Sequence, residues 1–288
     1  MSRTNCRMVE SLEYRRLLSA GAFVAGSILH VDGNLLSPNT ITVDDNGTAI
    51  TVAIDWTTAR GVAKSFSSSF AKSLGFTEVF VRGGLRADTI NVGQHSSVAF
   101  SLNTRVDGIA GSDLITTGPE SDTINGQAGA DTINSGNGND IVRGGLFSDH
   151  ITVGNGNDKV KGGVLPDTIT AGNGNDTVVG SVSADLITVG NGNDLVFGRQ
   201  GNDTIIAGNG SDSLWGGAGD DSITGGTGAD TFGGILGDNV LISNVVPSDT
   251  STVETYEVRK AGQNTIPNFR PGIDKLVIVA REKTNPTI

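Results

Sequence analysis

Gly216-Gly217-Ala218-Gly219-Asp220-Asp221-Ser222-Ile223-Thr224, followed at once by Gly225-Gly226-Thr227-Gly228-Ala229-Asp230, sets one nine-residue pattern down twice. Outward from it, aspartate holds the same register without a gap at Asp113, Asp122, Asp131, Asp140, Asp149, Asp158, Asp167, Asp176, Asp185, Asp194, Asp203, Asp212, Asp221 and Asp230. Two residues after each stands an aliphatic or aromatic side chain: Ile115, Ile124, Ile133, Val142, Ile151, Val160, Ile169, Val178, Ile187, Val196, Ile205, Leu214, Ile223 and Phe232. The pattern predicts a short strand with one residue inward and its neighbours outward, then a six-residue turn rich in Gly and Asn. One strand and one turn cannot bury that inward residue. Stacked copies can, by enclosing a continuous core between two parallel sheets, so the expected fold is an all-β solenoid.

The composition agrees with a core that is thin rather than aromatic. The 288 residues include 42 Gly but only two Trp and two Tyr. Between residues 113 and 230 there are sixteen acids, fifteen Asp and Glu120, against Arg143, Lys159, Lys161 and Arg199, a net of −12 where the whole chain carries −11. So much carboxylate in a compact structure repels itself unless cations neutralise it, and it excludes a nucleic-acid partner. Cys6 is the only cysteine, so no intramolecular disulfide can staple the chain and bound metal is the expected substitute. No stretch is long and apolar enough for a transmembrane segment.

The two repeats quoted above match the G-G-x-G-x-D-x-U-x nonapeptide, and the chain thereby resembles the RTX family of hemolysin-type calcium-binding repeats. That resemblance implies a right-handed parallel β-roll with two repeats per coil, about seven coils in all, and calcium held in the turns. The residue chemistry agrees. Calcium takes six to eight hard oxygen ligands in irregular geometry, which short carboxylates and bare carbonyls supply. Zinc would need His or Cys, and magnesium a stricter octahedron. The alternative, that Asp, Asn and Gly merely make good turns, does not require Asp at one place fourteen times.

Two repeats per coil stack turns 18 residues apart, which sorts them onto two unlike edges. One edge reads GNGND up to Asp140, Asp158, Asp176 and Asp194, then Gly208-Asn209-Gly210-Ser211-Asp212. Here several calcium ions are expected, held by those aspartates with Asn137, Asn139, Asn155, Asn157, Asn173, Asn175, Asn191 and Asn193 and with Gly138, Gly156, Gly174, Gly192 and Gly210. Asp113, Asp122, Asp131, Asp203, Asp221 and Asp230 extend the candidate set. The other edge reads Gly144-Gly145-Leu146-Phe147-Ser148-Asp149, Gly162-Gly163-Val164-Leu165-Pro166-Asp167 and Gly180-Ser181-Val182-Ser183-Ala184-Asp185, without the glycine at the fourth position of the repeat. At Asp149, Asp167 and Asp185 a structural role is expected instead, accepting backbone N–H bonds at the strand start. The stripe Leu146-Phe147, Val164-Leu165 and Val182 is expected to fold inward and fill the corner that calcium fills opposite, the alternative being that it meets a partner or another copy of the chain.

The alternation of the two turns also looks like the ice-binding solenoids of some RTX adhesins. Those carry Thr where this chain has Asn137, Asn155, Asn173, Asn191 and Asn209, so the ladder is expected to be turn chemistry, with a glycan or a second copy of the chain as the alternative partner.

Four regions are expected: a leader over 1–27, irregular β coils over 28–112, the calcium-binding roll over 113–240 and a β cap over 241–288. The leader places Arg3, Arg7, Arg15 and Arg16 ahead of an apolar run, Leu17 to Ala25, which reads as a signal peptide or as a disordered leader. Leu12-Glu13-Tyr14-Arg15-Arg16-Leu17-Leu18 resembles the LEPR-XLL motif of planctomycete surface proteins, with Tyr14 where the motif has Pro. The expected setting is therefore secreted or cell-surface. Asn264 to Ile278 is similar to the segment that closes many RTX rolls, with Phe269 covering the last coil and Asn264 and Asn268 replacing acids. No H-E-x-x-H or G-x-S-x-G motif occurs, and His30, His95 and His150 are scattered. The expected function is a structural or adhesive calcium-binding protein and not an enzyme. The alternatives are a glycan- or ice-binding module and the appendage of a lost or separate hydrolase.

Overall fold

The computed structural model describes residues 20–93, 100–234 and 236–243, with the shorter stretches 252–253, 255–259, 264–267, 269–271 and 273–279. The protein is all-β, a parallel β-roll, with a single 3-10 turn at Lys72–Leu74 among the described residues. It divides into two compact units, Met1–Leu146 and Phe147–Ile288.

In the first unit the strands are β1 (Gly21–Ala25), β2 (Ile28–Asp32), β3 (Asn39–Asp45), β4 (Ala49–Thr57), β5 (Ala63–Ala71), β6 (Glu78–Arg82), β7 (Thr89–Val92), β8 (Asn103–Ala110), β9 (Leu114–Thr116), β10 (Thr123–Ala128), β11 (Thr132–Asn134) and β12 (Ile141–Gly145). One sheet runs β1-β2-β6-β8-β10-β12 and the other β11-β9-β7-β3-β4-β5. The solenoid therefore begins earlier than the first full nonapeptide: β2 and β3 already form a coil, pairing in parallel with β6 and β7. Its regularity is interrupted by β4 and β5, which extend the second sheet by antiparallel pairing from β3. The apolar run of the expected leader lies partly in β1, antiparallel to β2; Leu17, Leu18, Cys6 and the LEPR-like motif lie outside the described residues.

The second unit comprises β13 (His150–Thr152), β14 (Lys159–Lys161), β15 (Thr168–Thr170), β16 (Thr177–Val179), β17 (Leu186–Thr188), β18 (Leu195–Gln200), β19 (Thr204–Ile206), β20 (Ser213–Ala218), β21 (Ser222–Thr224), β22 (Thr231–Gly234), β23 (Val240–Ile242), β24 (Thr255–Arg259) and β25 (Lys275–Val279). Even-numbered strands from β14 to β24, then β25, make one sheet, and odd-numbered strands from β13 to β23 the other.

Register explains the core. Val160, Val178, Val196, Leu214, Phe232 and Tyr256 stand in one column across the first sheet of this unit, and Ile151, Ile169, Ile187, Ile205, Ile223 and Leu241 in one column across the second. All are buried, as is every member of the inward series read from the sequence. Each repeat contributes one such side chain, so the core is a stack of single residues. At the C-terminal end Phe232 stacks on Tyr256 with ring centroids 4.9 Å apart, and Phe269 meets Tyr256 edge-on at 5.8 Å.

Candidate metal centre

The GNGND-type turns place a left-handed glycine two positions before the Asp. Gly174 shows why: its φ is +131°, and a Cβ there would overlap the carbonyl oxygen of Gly156 in the neighbouring coil. Carbonyls of one turn thus lie directly over the glycines of the next. At Gly83 a Cβ would sit 2.6 Å from both Asp88 Oδ2 and Gly108 O, so a carboxylate oxygen and a carbonyl oxygen converge where a side chain would otherwise be.

Every repeat aspartate is buried, and the carboxylates form ladders along the coils. In the first unit Asp122 N–H donates to Asp140 Oδ1 and Asp113 N–H to Asp131 Oδ1, both at 2.8 Å. In the second, Asp158, Asp176, Asp194 and Asp212 donate in turn to Asp176, Asp194, Asp212 and Asp230 at 2.8–2.9 Å. Asp149, Asp167, Asp185 and Asp203 do the same toward Asp167, Asp185, Asp203 and Asp221. The strand-start bond expected only at the GG-apolar turns is therefore common to both edges. This bond uses Oδ1 of each acceptor. The other, Oδ2, is buried with no hydrogen-bond partner at Asp113, Asp167, Asp176, Asp194, Asp203, Asp212 and Asp221.

Burial without compensation raises these carboxyls. Desolvation, with the charges of neighbouring rungs added, pushes Asp113, Asp176 and Asp203 up to about 7 against the backbone N–H bonds that lower them. Asp212 and Asp167 rise to about 6 for the same reasons. Asp185 has both oxygens engaged: Oδ2 accepts Ser181 N–H at 2.5 Å, and Oδ1 also accepts Ser181 Oγ–H at 3.1 Å.

The edges differ at their surfaces. On the GNGND edge the candidate side chains Asn137, Asn139, Asn155, Asn157, Asn173, Asn175, Asn191 and Asn193 are exposed. Asn173 Nδ2 donates to Asn155 Oδ1 at 2.6 Å, and Asn191 and Asn209 continue the ladder. Asn175 and Asn193 N–H donate to Asn157 and Asn175 Oδ1. On the other edge the expected inward packing is not found: Phe147 is 50 %, Val164 42 %, Leu165 40 % and Val182 51 % exposed, and in the first unit Leu146 is 56 % exposed. The corner is already full, because Asp167 Oδ2 lies against Gly162 where a Cβ would go. The two residues following the glycines must point out.

The family profile described as RTX calcium-binding nonapeptide repeat (4 copies) matches residues 107–142, 135–169, 162–196, 170–205, 197–232 and 206–241. Residues 107–241 are RTX calcium-binding nonapeptide repeats. No curated protein matches the chain.

Buried, unpartnered, acceptor-only oxygens beside convergent carbonyls are what a hard cation takes as ligands, so the RTX repeats fit calcium. Among the described residues no three His, Cys, Asp or Glu side chains converge; a metal here would draw on carboxylates of stacked turns together with backbone carbonyls. Calcium, when bound, supplies the positive charge that the ladder lacks. The chain's own residues do the rest: the Asp Oδ1–N–H bonds hold successive turns in register, and the turn glycines admit the carbonyls. Of the histidines, His30 is stacked on Phe23 at 4.9 Å and His150 is exposed, while His95 lies outside the described residues.

Proposed function

We propose that this protein is a non-catalytic calcium-binding β-roll, secreted or cell-surface, with a structural or adhesive role and with repeats that fold when calcium binds. The observation that supports it most is the run of buried Oδ2 atoms without partners at Asp176, Asp194 and Asp212. In the first unit Asp122 and Asp140 would hold ions on one edge and Asp113 and Asp131 on the other; in the second, Asp158, Asp176, Asp194, Asp212 and Asp230 would hold them on one edge and Asp203 and Asp221 on the other. A buried charge without a partner is strongly unfavourable, so the calcium-free repeats are unstable wherever these groups are ionised. A ligand that binds only the folded state stabilises it by about 4 kcal/mol at a thousandfold excess over Kd. An extracellular setting suits this design, since extracellular modules bind calcium at about 10⁻⁴–10⁻³ M. No helix among the described residues is long and apolar enough to cross a membrane.

Calcium titration of the EGTA-treated chain, followed by circular dichroism and equilibrium dialysis, tests the reading. Gain of β signal in step with bound calcium is expected. A β spectrum and melting temperature that do not change after verified calcium removal would refute it. The Asn amides of the exposed ladder already donate to one another, which favours turn chemistry over glycan or ice recognition; glycan calorimetry and an ice-recrystallisation assay separate those alternatives.

A further inference from the structure

The edge of the first unit that carries Asp88, Asp113 and Asp131 starts on an asparagine. Asn39 N–H donates to Asp88 Oδ1 at 2.7 Å, the same bond that Asp88 N–H makes to Asp113 Oδ1 at 2.8 Å. Position 39 is therefore the first rung of that ladder. Its side chain has the opposite chemistry from a carboxylate. Asn39 Nδ2 donates to Asp88 Oδ1 at 2.8 Å and to the carbonyls of Asn34 and Ser37 at 3.0 Å each. Around that nitrogen lie one carboxylate oxygen and two carbonyl oxygens, a donor set of the kind a hard cation takes. Asn39 Oδ1 accepts Asn34 N–H at 2.7 Å, and Asp88 Oδ2 accepts Gly84 N–H at 2.5 Å. Both oxygens of Asp88 are thus partnered by protein N–H groups, whereas Asp113, one rung later, has an Oδ2 with none.

We propose that the Asn39 amide stands where later rungs would take a cation, so that the coils of residues 28–92 fold without calcium and present a finished edge on which the calcium-dependent repeats assemble. This rests on the calcium-driven folding proposed above. Three features of these residues carry it further. Residues 28–92 hold six acids against five bases, a net of −1, so they lack the self-repulsion of the repeats. They also bury a core of their own, with Leu29, Val31, Ile41, Ile54, Val79 and Ile90 among its members. Their antiparallel pairing of β3, β4 and β5 closes short loops, which needs less ordering than long-range coil stacking. In the second unit Asn239 ends the ladder in a similar way: it accepts Asp221 N–H at 2.9 Å and donates to Asn264 Oδ1 at 2.9 Å.

Hydrogen–deuterium exchange on the full chain, in EGTA and in calcium, tests the proposal. Amides of residues 28–92 are expected to stay protected in EGTA, while those of 113–241 become protected only in calcium. Rapid exchange of both segments in EGTA overturns the Asn39 proposal alone. Protection of both in EGTA overturns the calcium-driven folding on which it rests, so the two failures are distinct. The variant Asn39→Asp adds a second carboxylate beside Asp88 and removes the donors; exchange in Ile41–Val43 and Ile90–Val92 should accelerate at least about tenfold in EGTA and recover in calcium. Asn39→Ala should lose protection that calcium does not restore. An Asn39→Asp chain as protected in EGTA as the parent, or one that calcium rescues no better than Asn39→Ala, overturns the proposal.

Discussion

The backbone N–H of Asp176 donates to Oδ1 of Asp194 in the next coil at 2.8 Å, while Oδ2 of Asp194 is buried with no hydrogen-bond partner. Each such carboxylate has a structural half, which sets the register of successive turns, and a half that nothing in the protein satisfies. The two halves separate stability from metal binding.

Asp176 and Asp185 should therefore respond differently to replacement by Ala. Asp176 has an orphaned oxygen, and its loss should lower the calcium bound per chain in equilibrium dialysis. Both oxygens of Asp185 are engaged, with Ser181 and with Asp167 N–H. Asp185→Ala should keep the calcium count but lower stability in calcium by about 1–3 kcal/mol, the usual result of leaving buried donors unpaired. Equal calcium loss from the two variants would show that the Ser181 contacts do not exempt Asp185.

Acid should favour the calcium-free fold. The folded carboxyls of Asp113, Asp176 and Asp203 titrate near 7 because they are desolvated, against 3.8 for a free Asp. Below 3.8 both states hold the proton and burial carries no charge penalty. Between there and about 7 the unfolded chain releases protons that the folded chain retains, so stability falls as pH rises. In EGTA, circular dichroism should show more β structure at pH 4 than at pH 8, and calcium affinity should climb over the same window. Greater stability of the EGTA-treated chain at pH 8 would contradict the direction of these shifts.

Gly174→Ala should damage the fold even with calcium saturating. Its φ of +131° and the Gly156 carbonyl in the place of a Cβ leave the alanine both strained and obstructed. Backbone strain alone is worth about 1–3 kcal/mol, so the melting temperature should fall by at least about 2–4 °C. An unchanged melting curve would mean that the turn can open without loss.

The combined substitution Phe147→Ser and Leu165→Ser should leave stability nearly unchanged, within about ±0.5 kcal/mol as for other surface positions. Half-exposed side chains contribute little to a core. A drop of several degrees would restore the inward packing expected from the sequence.

Much of this architecture is legible in the sequence. The column Ile151, Ile169, Ile187, Ile205 and Ile223 follows from one inward residue per nine, and stacking at 18 residues follows once two repeats make a coil. The direction of Phe147 and Leu165 was not legible. Their spacing says that they align but not to which side, and that depends on whether the corner beneath them is filled. Beneath Leu165 it is filled by the Asp167 carboxylate against Gly162, a contact that involves no pattern of hydrophobicity.

The sequence by itself determined the period, the inward series, the carboxylate register and the expectation of calcium rather than zinc, because in a repeat structure each unit meets only its neighbours and local pattern becomes global form. Only the tertiary structure decided which oxygen of each aspartate is used, that Asp185 is satisfied by Ser181, and that Asn39 is the first rung below Asp88. Asn39 and Asp88 are 49 residues apart, separated by the β4–β5 hairpin that breaks the period. Hydrogen-bond partners across that gap are set by how coils stack in space, and a nine-residue register cannot express them.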